Sequence, residues 1–118
     1  MRIIVVGGAG TIGKAAMKAL SDRHEVVVAG RYLFDDPIPV RVGFSVANGG
    51  VEGFVRAAAL GLDRGVRINA VSPGLAEDSD EQFGQINPGR IPVPMSTIGA
   101  AFVRSVEGWR TGETIRAW

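Results

Sequence analysis

A small α/β fold, with a short, mostly parallel sheet in a three-layer arrangement, is what this sequence predicts. Three observations lead there. Arg2 to Gly13 read RIIVVGGAGTIG, a branched apolar run that passes straight into glycines. A helical stripe and a second apolar run follow, and the whole unit fits within the ~30 residues of a strand–turn–helix–strand motif. Near the other end, VRINAVS alternates apolar and polar residues and stops at Pro73-Gly74, as a strand does.

The first strand is Ile3 to Val6, four consecutive branched residues that read as a strand buried on both faces. Gly7, Gly10 and Gly13 come next at three-residue spacing. In a nucleotide-binding βαβ unit such glycines allow a tight turn, close approach of the backbone to a pyrophosphate, and close helix–strand packing. The helix that opens at Thr11 would then present free N–H groups and a positive dipole end to the phosphates. Glycine is common here, 17 of 118 residues, so the same glycines also fit a plain βαβ unit that needs only a tight turn. Ile12, Ala15, Ala16, Ala19 and Leu20 form one stripe at the helical period. The second strand is Val26 to Ala29.

Tyr32 to Gly43 reads as irregular, because Pro37 and Pro39 forbid a regular helix. Asp35-Asp36 within it is a solvated loop pair or, less simply, a cation site. From Phe44 a helix is readable, with Val51, Phe54, Val55, Ala58, Ala59 and Leu62 on one face and the i,i+4 pair Glu52–Arg56 on the other. Asp63-Arg64-Gly65 stops it. The strand Val66–Ser72 follows, then a polar loop from Leu75 to Pro94. A short helix, Ser96–Val106, has Ile98, Phe102 and Val106 in line, and Gly112 turns the chain into a last strand, Thr114–Trp118. There is no internal repeat.

Composition bounds the rest. A chain of 118 residues makes one domain, 1–118, with a single core. It is 46% hydrophobic and 21% charged with net charge +1, which gives no electrostatic reason to expect nucleic acid or an anionic membrane as a partner. No apolar run approaches the ~20 residues of a membrane span, and the first apolar run is too short for a secretory signal. The absence of Cys excludes disulfides and thiolate metal sites and fits a cytoplasmic location. No metal site is expected. The lone His24 precedes the second strand and reads as a surface loop residue.

Three stretches resemble the short-chain dehydrogenases/reductases. They are VVGGAGTIGKA with AGR after the second strand, GFVRAAALGLDRGVRINAVSPG, and VRSVEGWRTGETIRAW. Together they span most of the chain. Arg67-Ile68-Asn69 followed by Ser72-Pro73-Gly74 is the most specific match. The resemblance implies a reduced Rossmann-like, NAD(P)-binding fold with a nucleotide-binding half, 1–31, and a C-terminal half, 44–118. It places Gly7, Gly10, Thr11, Ile12 and Gly13 in a cofactor loop and Pro73 and Gly74 beside a nicotinamide. Arg31 falls where the family selects between cofactors. An arginine there accommodates a 2′-phosphate, which favours NADP over NAD; an ordinary surface arginine is the alternative. The family's carboxamide-binding threonine has no counterpart, and only Ser79, at shifted spacing, could replace it.

Two departures from the family bear on chemistry. Its catalytic tyrosine and the lysine four residues later align with Phe44 and Asn48. Phe has no ionisable proton and Asn no charge, so no catalytic residue is assigned. The segment that normally carries the family's central strands and catalytic serine is also missing, with the gap near residues 31–35. The resemblance therefore implies a lineage of NADP-dependent oxidoreduction of a small carbonyl or alcohol, with catalysis impaired or absent. The alternatives are a non-catalytic nucleotide-binding or interaction protein, or a truncated remnant without independent activity. The shortened sheet implies a homodimer, or else direct pairing of the first strand with the Val66 strand.

Overall fold

In a computed structural model, residues 1–6, 10–29 and 40–118 are described, without the side chains of residues 29, 40–48 and 86. Gly7, Arg31, Tyr32 and the Asp35-Asp36 pair lie outside the described residues. The elements run β1 (Arg2–Val6), α1 (Thr11–Leu20), β2 (Glu25–Ala29), α2 (Val40–Gly61), β3 (Ala70–Pro73), α3 (Asp80–Phe83), α4 (Met95–Glu107) and β4 (Thr114–Ala117). Single 3₁₀ turns at Glu77–Ser79 and Gly84–Ile86 flank α3. Among the described residues no helix is long and apolar enough to cross a membrane.

The α/β class and the parallel pairing are as the periodicities predict. β1 pairs in parallel with β2, with Arg2 opposite Glu25 and Val6 opposite Ala29. β3 pairs in parallel with β4, with Ala70 opposite Thr114 and Pro73 opposite Ala117. Parallel neighbours need a crossover between them. α1 supplies it for the first pair, and the stretch through α3 and α4 supplies it for the second. Among the described residues β1 and β3 do not pair, so two two-stranded sheets stand in place of one short sheet. The direct pairing of β1 with the Val66–Val71 segment, one of the two alternatives from sequence, is not formed there.

One helical layer joins the two sheets. α1 packs on β1, while α4 packs on β3 and β4, and α1 and α4 lie against each other. The stripe expected on α1 faces this layer, with Ala15, Ala16 and Leu20 buried. The main cluster gathers Ala15, Ala76, Val93, Ile98, Ala101 and Ala117, with Ile12, Val71, Met95, Phe102 and Ile115 packed against it. Small residues let the two helices approach closely. A Cβ on Gly99 would lie 3.3 Å from Ala19 Cβ and 3.4 Å from the Ala15 carbonyl. Val71 faces the cluster. Ala70, on the other face of β3 by strand alternation, is buried, and α2 also meets this strand.

Several boundaries differ from expectation, each for a local reason. The helix read from Phe44 starts at Val40, immediately after Pro39, so residues 40–43 are helical rather than irregular. A proline restricts the residues before it and not those after. The Val66 strand is confined to Ala70–Pro73, because residues 67–69 use their polar groups on another partner, described below. The polar stretch from Leu75 to Pro94 contains α3, and its two ends meet in a parallel bridge between Ala76 and Val93.

β1 is not buried on both faces. Val5 is buried against the helical layer, while Ile4 and Val6, on the opposite face, are 66% and 83% exposed. Val27 and Val28 of β2 are exposed too. α2 repeats the pattern: Val55 is buried, but Val51 and Phe54 are exposed, as is Leu62 just past its end. The apolar runs are long enough for a sheet covered on two faces, and among the described residues only one face is covered.

Candidate nucleotide-binding site

The predicted cofactor residues that are described fall at two strand ends. Gly10 is the N-cap of α1, with φ −78° and ψ 177°, an extended conformation open to any residue. No side chain caps the helix and no acidic residue stands in its first turn. The first intrahelical bond runs from the Lys14 N–H to the Gly10 carbonyl at 2.9 Å. The N–H groups of Thr11, Ile12 and Gly13 precede that bond and have no intrahelical acceptor. Gly13 is buried, and Ile12 packs against the main cluster.

Pro73 ends β3, and the Gly74 N–H donates to the Ala117 carbonyl at 3.0 Å. A Cβ on Gly74 would lie 3.1 Å from a Val93 methyl, so the glycine allows the close passage of the 75–77 and 93 segments. The Val93 N–H donates to the Leu75 carbonyl and the Glu77 N–H to the Val93 carbonyl, at 2.6 and 2.9 Å. The Glu77 carboxylate accepts from the Met95 N–H at 2.8 Å. Glu77 therefore caps α4, a role hidden in the sequence because the partner lies 18 residues on. Ser79 closes a 3₁₀ turn, its N–H donating to the Ala76 carbonyl. Ile12, Ala76 and Met95 belong to one packed cluster, so the glycine end of α1 and the turn after β3 border the same core. Phe44 and Asn48 lie on the first half of α2.

The Arg67-Ile68-Asn69 match proves to be a structural clamp. Arg67 Nη1 donates to the Ser105 carbonyl at 3.0 Å and Nη2 to the Val106 carbonyl at 2.6 Å, closing the open C-terminal carbonyls of α4. Asn69 Nδ2 donates to the Arg110 carbonyl, and its Oδ1 accepts from the Glu113 N–H. The Ile68 N–H donates to Thr111 Oγ1 and its carbonyl accepts from the Gly112 N–H. Residues 67–69 thus hold the whole α4–β4 connection instead of extending β3. Replacing Arg67 by Ala removes two charge-assisted bonds and is expected to cost about 2–3 kcal/mol. Arg67→Lys keeps the charge but loses the planar fork and should recover less than half. Urea unfolding checks both; a loss under 0.5 kcal/mol for the alanine variant would refute the clamp.

His24 is not an exposed loop residue. Its side chain is only 13% exposed, and Nε2 lies 3.4 Å from a Glu107 carboxylate oxygen that also meets Arg23 at 2.7 Å. These contacts tie the turn after α1 to the end of α4. A cleft of about 230 Å³ lies near that region, between α4 and β4, with Arg104, Trp109 and Arg110 in its wall. It is formed by none of the predicted cofactor residues, and nothing in the sequence pattern singled it out.

No protein-family model matches the chain, and no curated protein does. Its structure is similar to the crystal structure of the protein lin1944 from Listeria innocua. The TM-score is 0.82 at 23% sequence identity, over 100% of both chains. At that identity the likeness establishes the α/β fold.

Proposed function

We propose that this chain is a nucleotide-binding α/β protein of short-chain dehydrogenase/reductase lineage, taking NADP in preference to NAD, with hydride transfer impaired or absent. The observation that carries the reading is the β1–α1 junction: an uncapped helix N-terminus, led by a glycine, directly after a strand that pairs in parallel with the next one. This is the local arrangement a pyrophosphate uses. In this reading the amides of Gly10, Thr11, Ile12 and Gly13 hold the phosphates together with Gly7. Arg31 meets the 2′-phosphate, and Pro73-Gly74 borders the nicotinamide. The cytoplasm, where NADP is abundant, is the location consistent with it.

Calorimetric titration of the purified protein with NADPH tests this. Saturable binding is expected. Because Gly10 has ordinary extended dihedrals, Gly10→Val should leave the fold intact and abolish binding by filling the space next to the phosphate. A charge-assisted hydrogen bond from Arg31, about 1.5–3 kcal/mol, gives a tenfold to hundredfold preference for NADP, which Arg31→Asp should reverse. Equal affinity in wild type and Gly10→Val would sink the site; equal affinity for the two cofactors would remove Arg31 from it.

Exposed apolar surface favours a second, compatible reading as a homodimer. Ile4, Val6 and Val27 on the open sheet face, Val28 on the other face, and Val51 and Phe54 on α2 are exposed, and exposed apolar surface marks association sites. Light scattering at micromolar concentration should give twice the 12.4 kDa mass of one chain. A monodisperse species at that single mass would overturn it.

A further inference from the structure

We propose that the outer edge of β4 binds single-stranded nucleic acid, at a site separate from the glycine end of α1. Both tryptophans of the chain flank this strand and both are exposed, Trp109 by 83% and Trp118 by 68%. Trp109 carries one guanidinium over its ring and Trp118 two. Arg110 lies 5.6 Å from the Trp109 centroid, and Arg116 and Arg90 lie 5.1 and 5.9 Å from that of Trp118. Arg104 connects the two stations. It lines the 230 Å³ cleft with Trp109 and Arg110, and its Nη2 is 3.4 Å from the Arg116 carbonyl. That carbonyl faces away from β3, since β3 and its flanks bond the alternate carbonyls of Glu113 and Ala117.

The charge distribution says what this edge lacks. Arg2, Arg23, Arg64 and Arg110 each face a carboxylate, and Arg67 is spent on the end of α4. Arg90, Arg104 and Arg116 have no carboxylate partner among the described residues. Lys14, Lys18 and Arg56 also lack one among the described residues; what sets this edge apart is three such cations beside two exposed indoles. The whole-chain balance conceals this; Glu113, paired with Arg110, is the one carboxylate in the cleft wall among the described residues.

A ligand that satisfies such an edge offers planar rings and anionic groups in alternation. Bases stack on tryptophan whatever their sequence, and arginines follow the phosphates. One ring-plus-guanidinium station stands in the connection before β4 and the other at the end of the strand, with Arg104 between them, and two stations suit a polymer better than a lone nucleotide. Stacking requires bases free of pairing, which excludes a duplex. An anionic bilayer would also attract arginine and tryptophan, but here each ring stands beside guanidinium groups instead of within an apolar face that could enter a membrane.

The two tryptophans make the site its own probe. Adding an eight-residue oligothymidylate to the full chain at low salt should quench tryptophan fluorescence saturably. With three phosphates neutralised, log K should fall against log salt with a slope of about −2, at ~0.7 per phosphate on a single strand. Arg90→Gln/Arg104→Gln/Arg116→Gln, with an unchanged circular dichroism spectrum, should weaken binding at least tenfold and flatten the slope. If the triple variant does not fold, Arg90→Gln alone, whose guanidinium touches only a ring among the described residues, should lower the slope by about 0.7. The proposal is overturned if the octamer fails to quench or if thymidine monophosphate binds as tightly. It is equally overturned if phosphatidylserine vesicles respond and the octamer does not, or if a folded arginine variant binds like wild type.

Discussion

NADPH mixed with the purified protein and a panel of aldehydes, ketones and quinones should remain reduced. The chemistry of the short-chain dehydrogenases/reductases, which the chain resembles, needs a phenol to give the carbonyl its proton and a cation to bring that phenol towards working pH. Phe44 and Asn48 occupy the aligned positions on α2 and can do neither. Removing general acid catalysis costs about 10²–10⁴ in rate, which takes an ordinary turnover number of about 10 s⁻¹ to or below the limit of a cofactor-absorbance assay. His24 and Lys18 stand at the far end of α1 from the cofactor turn. His24 follows the C-terminal end of α1 while Gly10 caps its N-terminus, so about 15 Å of helix separates them at ~1.5 Å per residue. Lys18 is in the last turn of the same helix. A turnover number near 1 s⁻¹ would show that some other group supplies the proton. Absence of turnover with retained NADPH binding is the expected pair of results.

Gly112→Ala should destabilise the fold by roughly 2–5 kcal/mol, and Gly65→Ala by only about 1–2 kcal/mol. Both glycines have positive φ, +77° and +73°, so both alanines suffer the left-handed backbone penalty. They differ in what the new methyl meets. At Gly65 there is nothing within 4 Å; at Gly112 it would lie 2.9 Å from Ala59 Cβ on α2. Gly112 also cannot swing away easily, because its N–H donates to the Ile68 carbonyl at 2.7 Å within the Arg67–Asn69 clamp. The difference between the two variants isolates the contact of α2 with the α4–β4 connection from the backbone term. Urea unfolding with a constant m-value measures it. Equal losses would mean that α2 gives way freely, and that its packing against the α4–β4 connection contributes little.

These two predictions rest on different kinds of information. The first can be read from the residue types at Phe44 and Asn48. The second needs a distance between α2 and a turn some 50 residues further on, which no local pattern contains. The same division runs through the whole chain. The spacing of Ile12, Ala15, Ala16 and Leu20 announced α1 and its buried face, because helical period and burial coincide along a short segment. The junction of Ile3–Val6 with the glycines announced β1 and the start of α1. Arg67-Ile68-Asn69 was conspicuous, but its work was illegible: the carbonyls it closes, Ser105 and Val106, are nearly 40 residues away. Glu77 likewise became a cap only when α4 folded back beside it.

By itself, then, the sequence determined the α/β class, the order of the elements apart from α3, the parallel pairing that crossover helices require, and the glycine-led start of α1. All of these depend on side-chain period and backbone freedom over a few neighbouring residues. The tertiary structure alone decided that the strands form two pairs instead of one sheet and that Ile4, Val6 and Phe54 stay exposed. It also brought arginines and both tryptophans together around β4. An apolar run states that a strand can be covered, but whether anything covers it, and which charges meet across the chain, depends on contacts between residues far apart in sequence.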